Sequence, residues 1–262
     1  MINTEFTKVE YCEIEALRLE YLNSLAEFQD LYLELLIADS EYFTIALDKT
    51  IGYAIVTPDN TLIEFFICKE FSDKSGECFN DLLSRQTIKQ VLCKTFDYQL
   101  LNNCLLNHFS YSVQGFLYRE LKENDKLRVA DLSFRYARLT DLPYLTLQED
   151  EVFEPKELLE DNIKNNEVII CERDNVVIGC GFISQVVSDF KYYDLGVWVD
   201  SDFRRNGYAV RIMLYLKSLC LKNGWIPVCG CSSDNIASQK MLSKVGFISN
   251  HKLLEFNCLV SK

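Results

Sequence analysis

Apolar residues recur with two periods along this chain, and the places where the period changes mark its elements. From Asn206 to Asn223 the positions Ala209, Ile212, Met213, Leu216, Leu219 and Cys220 are spaced by three and four, which predicts an amphipathic helix stopped at Asn223-Gly224. Shorter β-rich runs precede it: LSFRYARL (132–139), EVIICE (167–172), VVIGCGFISQVV (176–187) and YYDLGVWV (192–199). The polar reversal Arg173-Asp174-Asn175 joins the middle two as a hairpin. Thr140, Asp141 and Pro143 supply helix-start chemistry after the first run, and a second short helix follows Pro155. IPVCGC (226–231) reads as the next strand. Ser233, Asp234 or Asn235 can cap a helix whose apolar stripe is Ala237, Met241, Leu242 and Val245, and Gly246 ends it before a final β-rich run, 247–260. The order is β, α, α, β, β, β, α, β, α, β.

The first half repeats that order faintly. A long amphipathic segment, Glu13 to Ile37, precedes YFTIALD (42–48), IGYAIVTP (51–58) and TLIEFFICKE (61–70). Then come a helix-like FNDLLSR (79–85), a strand-plus-helix run (87–106) and FSYSVQGFLYREL (109–121). Laid over the second half at a spacing of roughly 130 residues, Ile51-Gly52 meets Ile178-Gly179 and Ser75-Gly76 lies near Asn206-Gly207, which suggests a duplicated domain. The alternatives are an unrelated α+β domain or a dimerisation module with a stripe at Tyr21, Leu25, Phe28, Tyr32 and Leu35; the latter makes a homodimer an expected assembly. The polar stretch LKENDKLRVAD (121–131) separates the halves, so domains are expected over 1–125 and 131–262.

Composition narrows the class. With 48% hydrophobic residues in 262 the chain can bury a core, and no apolar run approaches the roughly 18 residues of a bilayer span. The start, MINTEFTKVEYCEIE, lacks the basic cap and apolar stretch of a secretion signal, so a cytoplasmic protein without membrane partners is expected. Eleven irregularly spaced cysteines read as reduced, mostly buried thiols. His108 and His251 are the only histidines and Cys229 with Cys231 the only near-metal spacing, so no metal is expected. A net charge of −12 opposes a nucleic-acid partner, whose binding rests on neutralising phosphates, and suits a cationic one.

One passage runs against that acidic balance. Between Phe203 and Ser233 there is no Asp or Glu, although 39 acids are spread over the chain, while Arg204, Arg205, Arg211, Lys217 and Lys222 all fall inside. There a strand enters a basic turn that opens into a helix at Gly207. Free amides at a helix start, the positive end of its dipole and a residue without a side chain together make an anion site, with a solvated basic helix face as the alternative.

Arg204-Arg205-Asn206-Gly207-Tyr208-Ala209 matches the [RQ]xxGx[GA] acyl-CoA loop of the GCN5-related N-acetyltransferase (GNAT) family, which this sequence resembles. Asp194-Leu195-Gly196-Val197-Trp198-Val199 is similar to that family's ExGxWx strand, and 235–247 to its NxxSxxxLxKxGF helix. The resemblance spans about Asp131 to Val260 and implies an α/β/α sandwich of the α+β class with a mixed, mostly antiparallel central sheet, preceded here by a second α+β domain. It implies acetyl-CoA as co-substrate, with the amides of Arg205 to Ala209 on the pyrophosphate, Val197, Trp198 and Val199 beside the pantetheine arm, and Asn235 near it.

The activity it implies is N-acetyl transfer by direct attack of a primary amine of a small molecule or peptide; a non-catalytic acyl-CoA sensor is the alternative. Direct attack needs a proton acceptor. Asp194 occupies the acid position of the strand, with Tyr193 as the alternative. Leu242 stands where many members carry the Tyr that protonates the departing thiolate, which leaves Ser232, Tyr208 or water for that task, or a thiolate that departs unaided. In the first half the equivalent turn, FSDKSGECF, carries Asp73 and Glu77 where a phosphate would sit, so that half is expected to have lost the coenzyme.

Overall fold

The computed structural model describes residues 4–122, 131–148, 153 and 155–258, and it divides into two compact units. The first takes 1–117 together with 250–262, and the second 118–249. Most of the polar stretch expected to separate domains, 123–130, lies outside the described residues.

In the first unit β1 (Glu5–Val9) leads into α1 (Tyr11–Ser24) and α2 (Leu31–Ala38), followed by β2 (Glu41–Ala46), β3 (Thr50–Val56) and β4 (Thr61–Ile67). After a 3-10 turn over Lys69–Lys74 come α3 (Ser75–Arg85), β5 (Gln90–Lys94), α4 (Tyr98–Leu106) and β6 (Ser110–Tyr118). The segment expected as one long helix is two. Leu25 ends α1 in an extended conformation (φ −66°, ψ 140°), and the Asp30 side chain caps α2 by accepting from the Tyr32 amide. The supposed dimerisation stripe breaks with it, for Tyr21 and Phe28 are buried while Tyr32 and Leu35 are exposed. β1 to β4 are antiparallel neighbours in sequence order, and β4 meets β5 in parallel for only two residue pairs, Thr61 with Gln90 and Leu62 with Val91. Phe65 and Ile67 face α3 and α4 in the apolar core, whereas Glu64 and Phe66 alternate to the α1 face.

That second face buries charge. Arg18 holds Glu64 through Nε to Oε2 (3.0 Å) and Nη2 to Oε1 (3.1 Å), and Tyr53 and Gln29 donate to the same carboxylate. Lys94 donates to Tyr21 Oη and Gln29 Oε1, each at 2.8 Å.

The second unit holds β7 (Glu120–Leu121), β8 (Ser133–Tyr136), α5 (Leu142–Thr146), α6 (Lys156–Lys164), β9 (Val168–Arg173), β10 (Val176–Gln185), β11 (Tyr192–Val199), α7 (Tyr208–Lys222), β12 (Ile226–Ser232), α8 (Ile236–Val245) and β13 (Phe247–Ile248). The hairpin β9–β10 turns at Asp174 and Asn175 as the pattern predicted. β8 to β11 are antiparallel in order and β12 joins in parallel; β7 and β13 pair separately. α7 packs on one face of this sheet, where a Cβ on Gly181 would come within 2.6 Å of Leu216 Cδ1. On the other face Leu145, Leu159 and Ile163 of α5 and α6 close over Phe153, Cys180 and Trp198. This is the α+β arrangement expected, with helices on both faces of a mixed sheet.

The final β-rich run does not stay with the domain expected over 131–262. Its last strand, β14 (His251–Asn257), pairs antiparallel with β5 and with β6 and therefore belongs to the first unit. Leu253, Leu254 and Phe256 are buried there, and the main-chain partners β14 needs are those of β5 and β6. All eleven cysteines are free thiols, seven of them buried. Among the described residues no helix is long and apolar enough to cross a membrane.

Candidate functional site

The two units carry the same strand junction. Gly52 of β3 faces Ile67 of β4, and Gly179 of β10 faces Val199 of β11. A Cβ at Gly52 would lie 2.0 Å from the Phe66 carbonyl oxygen, and one at Gly179 would lie 2.3 Å from that of Trp198, so only glycine lets these strands meet. Just beyond, the Cys68 amide donates to the Ile51 carbonyl (2.8 Å) and the Asp200 amide to the Ile178 carbonyl (3.1 Å). Those bonds fix which way the strand edges point. Antiparallel pairing alternates, so with Asp200 bonded to β10 the main-chain groups of Trp198 also turn to β10, while those of Val197 and Val199 turn toward β12.

β11 pairs with β12 only from Tyr192 with Ile226 to Asp194 with Val228, and the strands then diverge. Val197 and Val199 thus present backbone edges to the gap left where that pairing ends. The Val199 carbonyl accepts from Arg204 Nε (2.9 Å), which ties the basic turn back onto the strand. Trp198 contributes its side chain to the core, edge-on to Phe153 at 5.0 Å, so it can serve the gap only by holding β11 in place.

A capped 3-10 turn leads into a helix start that has no side-chain cap of its own. Asp200 Oδ1 accepts from the Asp202 amide (3.0 Å) and Oδ2 from Tyr144 Oη (2.7 Å), starting a 3-10 turn over Ser201–Phe203. Arg205 has φ +65°, and Asn206 Nδ2 donates to the carbonyls of Phe203 (3.2 Å) and Arg204 (3.1 Å). Gly207 then opens α7 with φ +80°, ψ 8° and no side-chain capping bond, and nothing lies within 4 Å of where its Cβ would be. The first intrahelical bond is that of the Arg211 amide to the Gly207 carbonyl. The amides before it point out of the helix at its positive end, with room in front. Tyr208 is buried, edge-on to Phe203, and its hydroxyl accepts from Arg173 Nη1 (3.1 Å). Ala209 is half-buried. Strand edge, gap and helix start together suit a ligand with a diphosphate and an extended, amide-bearing arm.

Alternation also sorts the expected catalytic residues. Asp194 lies directly opposite Ser184 in the β10–β11 register, on the α5/α6 face with Gly196 and Trp198. Tyr193 lies on the α7 face, stacked on Trp225 with ring centroids 4.0 Å apart. Burial raises its phenol above the usual value. The structure thus brings Asp194 and Tyr193 to opposite faces of the sheet.

Ser232 Oγ donates to Asp234 Oδ1 (2.6 Å) beyond the divergence of β11 and β12, and Asn235 caps α8 by accepting from the Ser238 amide (3.0 Å). Leu242 is buried in the α8 core face. The Cys231 thiol is raised chiefly by burial.

The sequence reading missed Glu167 and Ser184. Ser184 Oγ donates to Glu167 Oε2 at 2.8 Å, and burial raises the Glu167 carboxyl above its ordinary range although that bond lowers it. The glutamate follows the Asn165-Asn166 turn that ends α6 and belongs to no motif. Only the register of β10 against β11 places its serine partner opposite Asp194.

The first unit answers its own junction differently. Ile67, the counterpart of Val199, donates its amide to Gln99 Oε1 (2.7 Å) and accepts from Gln99 Nε2 (3.0 Å). A carboxamide from α4 therefore holds both edge groups of Ile67, where at Val199 it is Arg204 Nε that holds the carbonyl. Asp73 and Glu77 flank the start of α3 as expected, with Asp73 paired to Lys74 at 3.1 Å.

Comparison with known proteins agrees with this double reading. A GNAT acetyltransferase domain model matches residues 10–121, and an acetyltransferase (GNAT) family model matches 133–247. The first half is thus a GNAT-like domain and not an unrelated one. The uncharacterized N-acetyltransferase YjdG of Bacillus subtilis (strain 168) is 34% identical over 92 residues, covering 34% of this chain and 54% of its own, so the match spans about half of that relative. A GNAT-family acetyltransferase from Colwellia psychrerythraea superposes with a TM-score of 0.85 at 22% identity, over 97% of this chain and 99% of its own. A tandem GNAT protein from the clavulanic acid biosynthesis pathway gives 0.63 at 9% identity, over 97% and 98%. At such identities the structural likenesses speak for the fold.

Proposed function

Because this chain belongs to the GNAT acetyltransferase family through both of its halves, we propose that its second unit moves an acetyl group from acetyl-CoA to a primary amine of a small molecule or peptide by direct attack. The observation that carries this reading is the continuity of a strand edge, Val197 and Val199, with an uncapped basic helix start at Gly207. Acetyl-CoA supplies the acyl thioester. Amides from Arg205 to Ala209 hold its diphosphate, and the edges of Val197 and Val199 align the arm as an added strand would be aligned. An edge amide of β11 also donates toward the acyl oxygen, stabilising charge that develops there.

Asp194 sits on the face opposite α7, where its carboxylate holds the acceptor ammonium near the end of that arm. A net charge of −12 favours approach of a cationic amine. Burial raises the Cys231 thiol, which leaves it poorly ionised and a weak nucleophile, in keeping with transfer without an acyl-enzyme. Leu242 lends weight to a second reading, a non-catalytic acyl-CoA sensor, since it puts an apolar side chain where a proton donor to the thiolate would stand.

Thiol release from acetyl-CoA, measured with the full chain against polyamines, aminoglycosides, amino acids and peptides, separates the two. Turnover on one amine class supports transfer. Binding of acetyl-CoA with no turnover on any class supports the sensor and defeats the enzyme reading.

A further inference from the structure

We infer that Glu167 is the terminal proton acceptor of the acceptor end, reached from the amine through the Ser184 hydroxyl, while Asp194 holds the ammonium. The inference rests on the acetyl-transfer reading and assigns a part of that site which the family motifs leave blank. Its basis is geometric. Ser184 and Asp194 are directly opposed on one face of the β10–β11 pair, a placement that brings their Cβ atoms to about 5 Å. The same hydroxyl donates to Glu167 Oε2 at 2.8 Å.

Glu167 is held through both of its main-chain polar groups. Its amide donates to the Asn162 carbonyl at the end of α6 (2.8 Å), and its carbonyl accepts from the Ile183 amide of β10 (2.9 Å). The carboxyl is therefore anchored beside the strand that carries its serine. Tyr193 and Asp194 of β11 are its titratable neighbours on that strand; Tyr193 is a neutral phenol. On α6, Lys164 is engaged with Glu160 (2.8 Å) and Asp161 (3.3 Å). Burial raises the Glu167 carboxyl, which brings it nearer to the range useful for a base at neutral pH.

The step balances. The ammonium gives one proton to Ser184 Oγ as that oxygen passes its own to Glu167 Oε2, so Glu167 becomes a neutral acid and the amine gains its lone pair. The nitrogen then forms the new bond to the acyl carbon, the carbon–sulfur bond breaks, and the second nitrogen proton goes to the departing sulfur. Glu167 returns its proton to water when the products leave. It acts through Ser184 and is a positioning and relay residue, whereas Asp194 touches the amine.

The test compares wild type, Glu167→Gln, Glu167→Asp, Ser184→Ala and Asp194→Asn as full chains, with acetyl-CoA and the amine found in the acceptor screen. In wild type kcat should fall toward acid along a limb above the ordinary carboxylate range. Glu167→Gln should lower kcat by at least about a hundredfold and remove that limb, with the amine KM and acetyl-CoA affinity kept. Glu167→Asp should restore part of the rate, and Asp194→Asn should raise the amine KM.

A second measurement does not need turnover. The carboxyl resonance of Glu167 in 13C-glutamate-labelled protein, assigned by its loss in Glu167→Gln, should titrate above an ordinary glutamate and higher still in Ser184→Ala. A midpoint at the ordinary value overturns the proposal, as does a Glu167→Gln enzyme with kcat within about threefold of wild type and an intact limb. Binding without turnover by wild type defeats the transfer reading, and this inference with it; turnover with an unchanged limb in Glu167→Gln defeats only the role of Glu167.

Discussion

Replacing Gly207 separates backbone strain from charge at the proposed diphosphate site. The residue has φ +80°, and the space where a side chain would begin is open to 4 Å. Gly207→Ala therefore meets no clash and loses only the left-handed backbone preference, roughly 1–2 kcal/mol of stability. Gly207→Glu has the same backbone strain but adds a carboxylate in front of the α7 amides. At an effective dielectric of about 20, two unit charges about 5 Å apart repel by about 3 kcal/mol, which is over a hundredfold in affinity. Titration calorimetry with acetyl-CoA at low and moderate salt, beside a thermal melt of each variant, makes the comparison. Both variants should melt alike, slightly below wild type. Gly207→Ala should bind within a few fold of wild type, whereas Gly207→Glu should bind at least about a hundredfold more weakly. A Gly207→Glu variant that melts normally and binds as wild type does would falsify the assignment of this helix start to the diphosphate.

Other outcomes follow from the same geometry. Asp194→Asn keeps the shape of the acceptor end but removes its charge, so acetyl-CoA affinity should be unchanged while kcat/KM for the amine drops; steady-state kinetics with calorimetry detects both, and an unchanged kcat/KM would exclude Asp194 from amine recognition. Arg18→Ala leaves the Glu64 carboxylate buried without its guanidinium, which should lower the unfolding free energy by about 3–5 kcal/mol in a urea titration; a loss below about 1 kcal/mol would mean that Tyr53 and Gln29 satisfy that carboxylate by themselves. Acetyl-CoA should bind at one equivalent per chain, since Gln99 saturates the strand edge of the first unit, and a calorimetric stoichiometry of two would contradict that.

Much of this architecture could be read from the sequence because it rests on local rules. The spacing from Ala209 to Cys220 defines α7, Gly246 stops α8 at φ +95°, and the Asp174-Asn175 reversal makes the β9–β10 hairpin. Gly52 and Gly179 stand at equivalent junctions, and the likeness is legible because a carbonyl sits where either Cβ would go. What stayed hidden depends on distant partners. Nothing within LLEF (253–256) says that its main-chain partners are β5 and β6. The break at Leu25 falls inside an apolar pattern that a continuous helix would also satisfy. The candidate site divides likewise: the loop from Arg204 to Ala209 is contiguous and legible, whereas Glu167 and Ser184 are 17 residues apart and meet only through strand register.

The side chain of Gln99 is a primary amide, the same functional group that recurs along an extended peptide-like ligand. By bonding both edge groups of Ile67 it makes the first unit its own guest, tethered at an effective concentration that a dilute visitor has to outcompete. Of the two like strand junctions, one leaves its edge facing the end of the β11–β12 pairing and the other shelters its own.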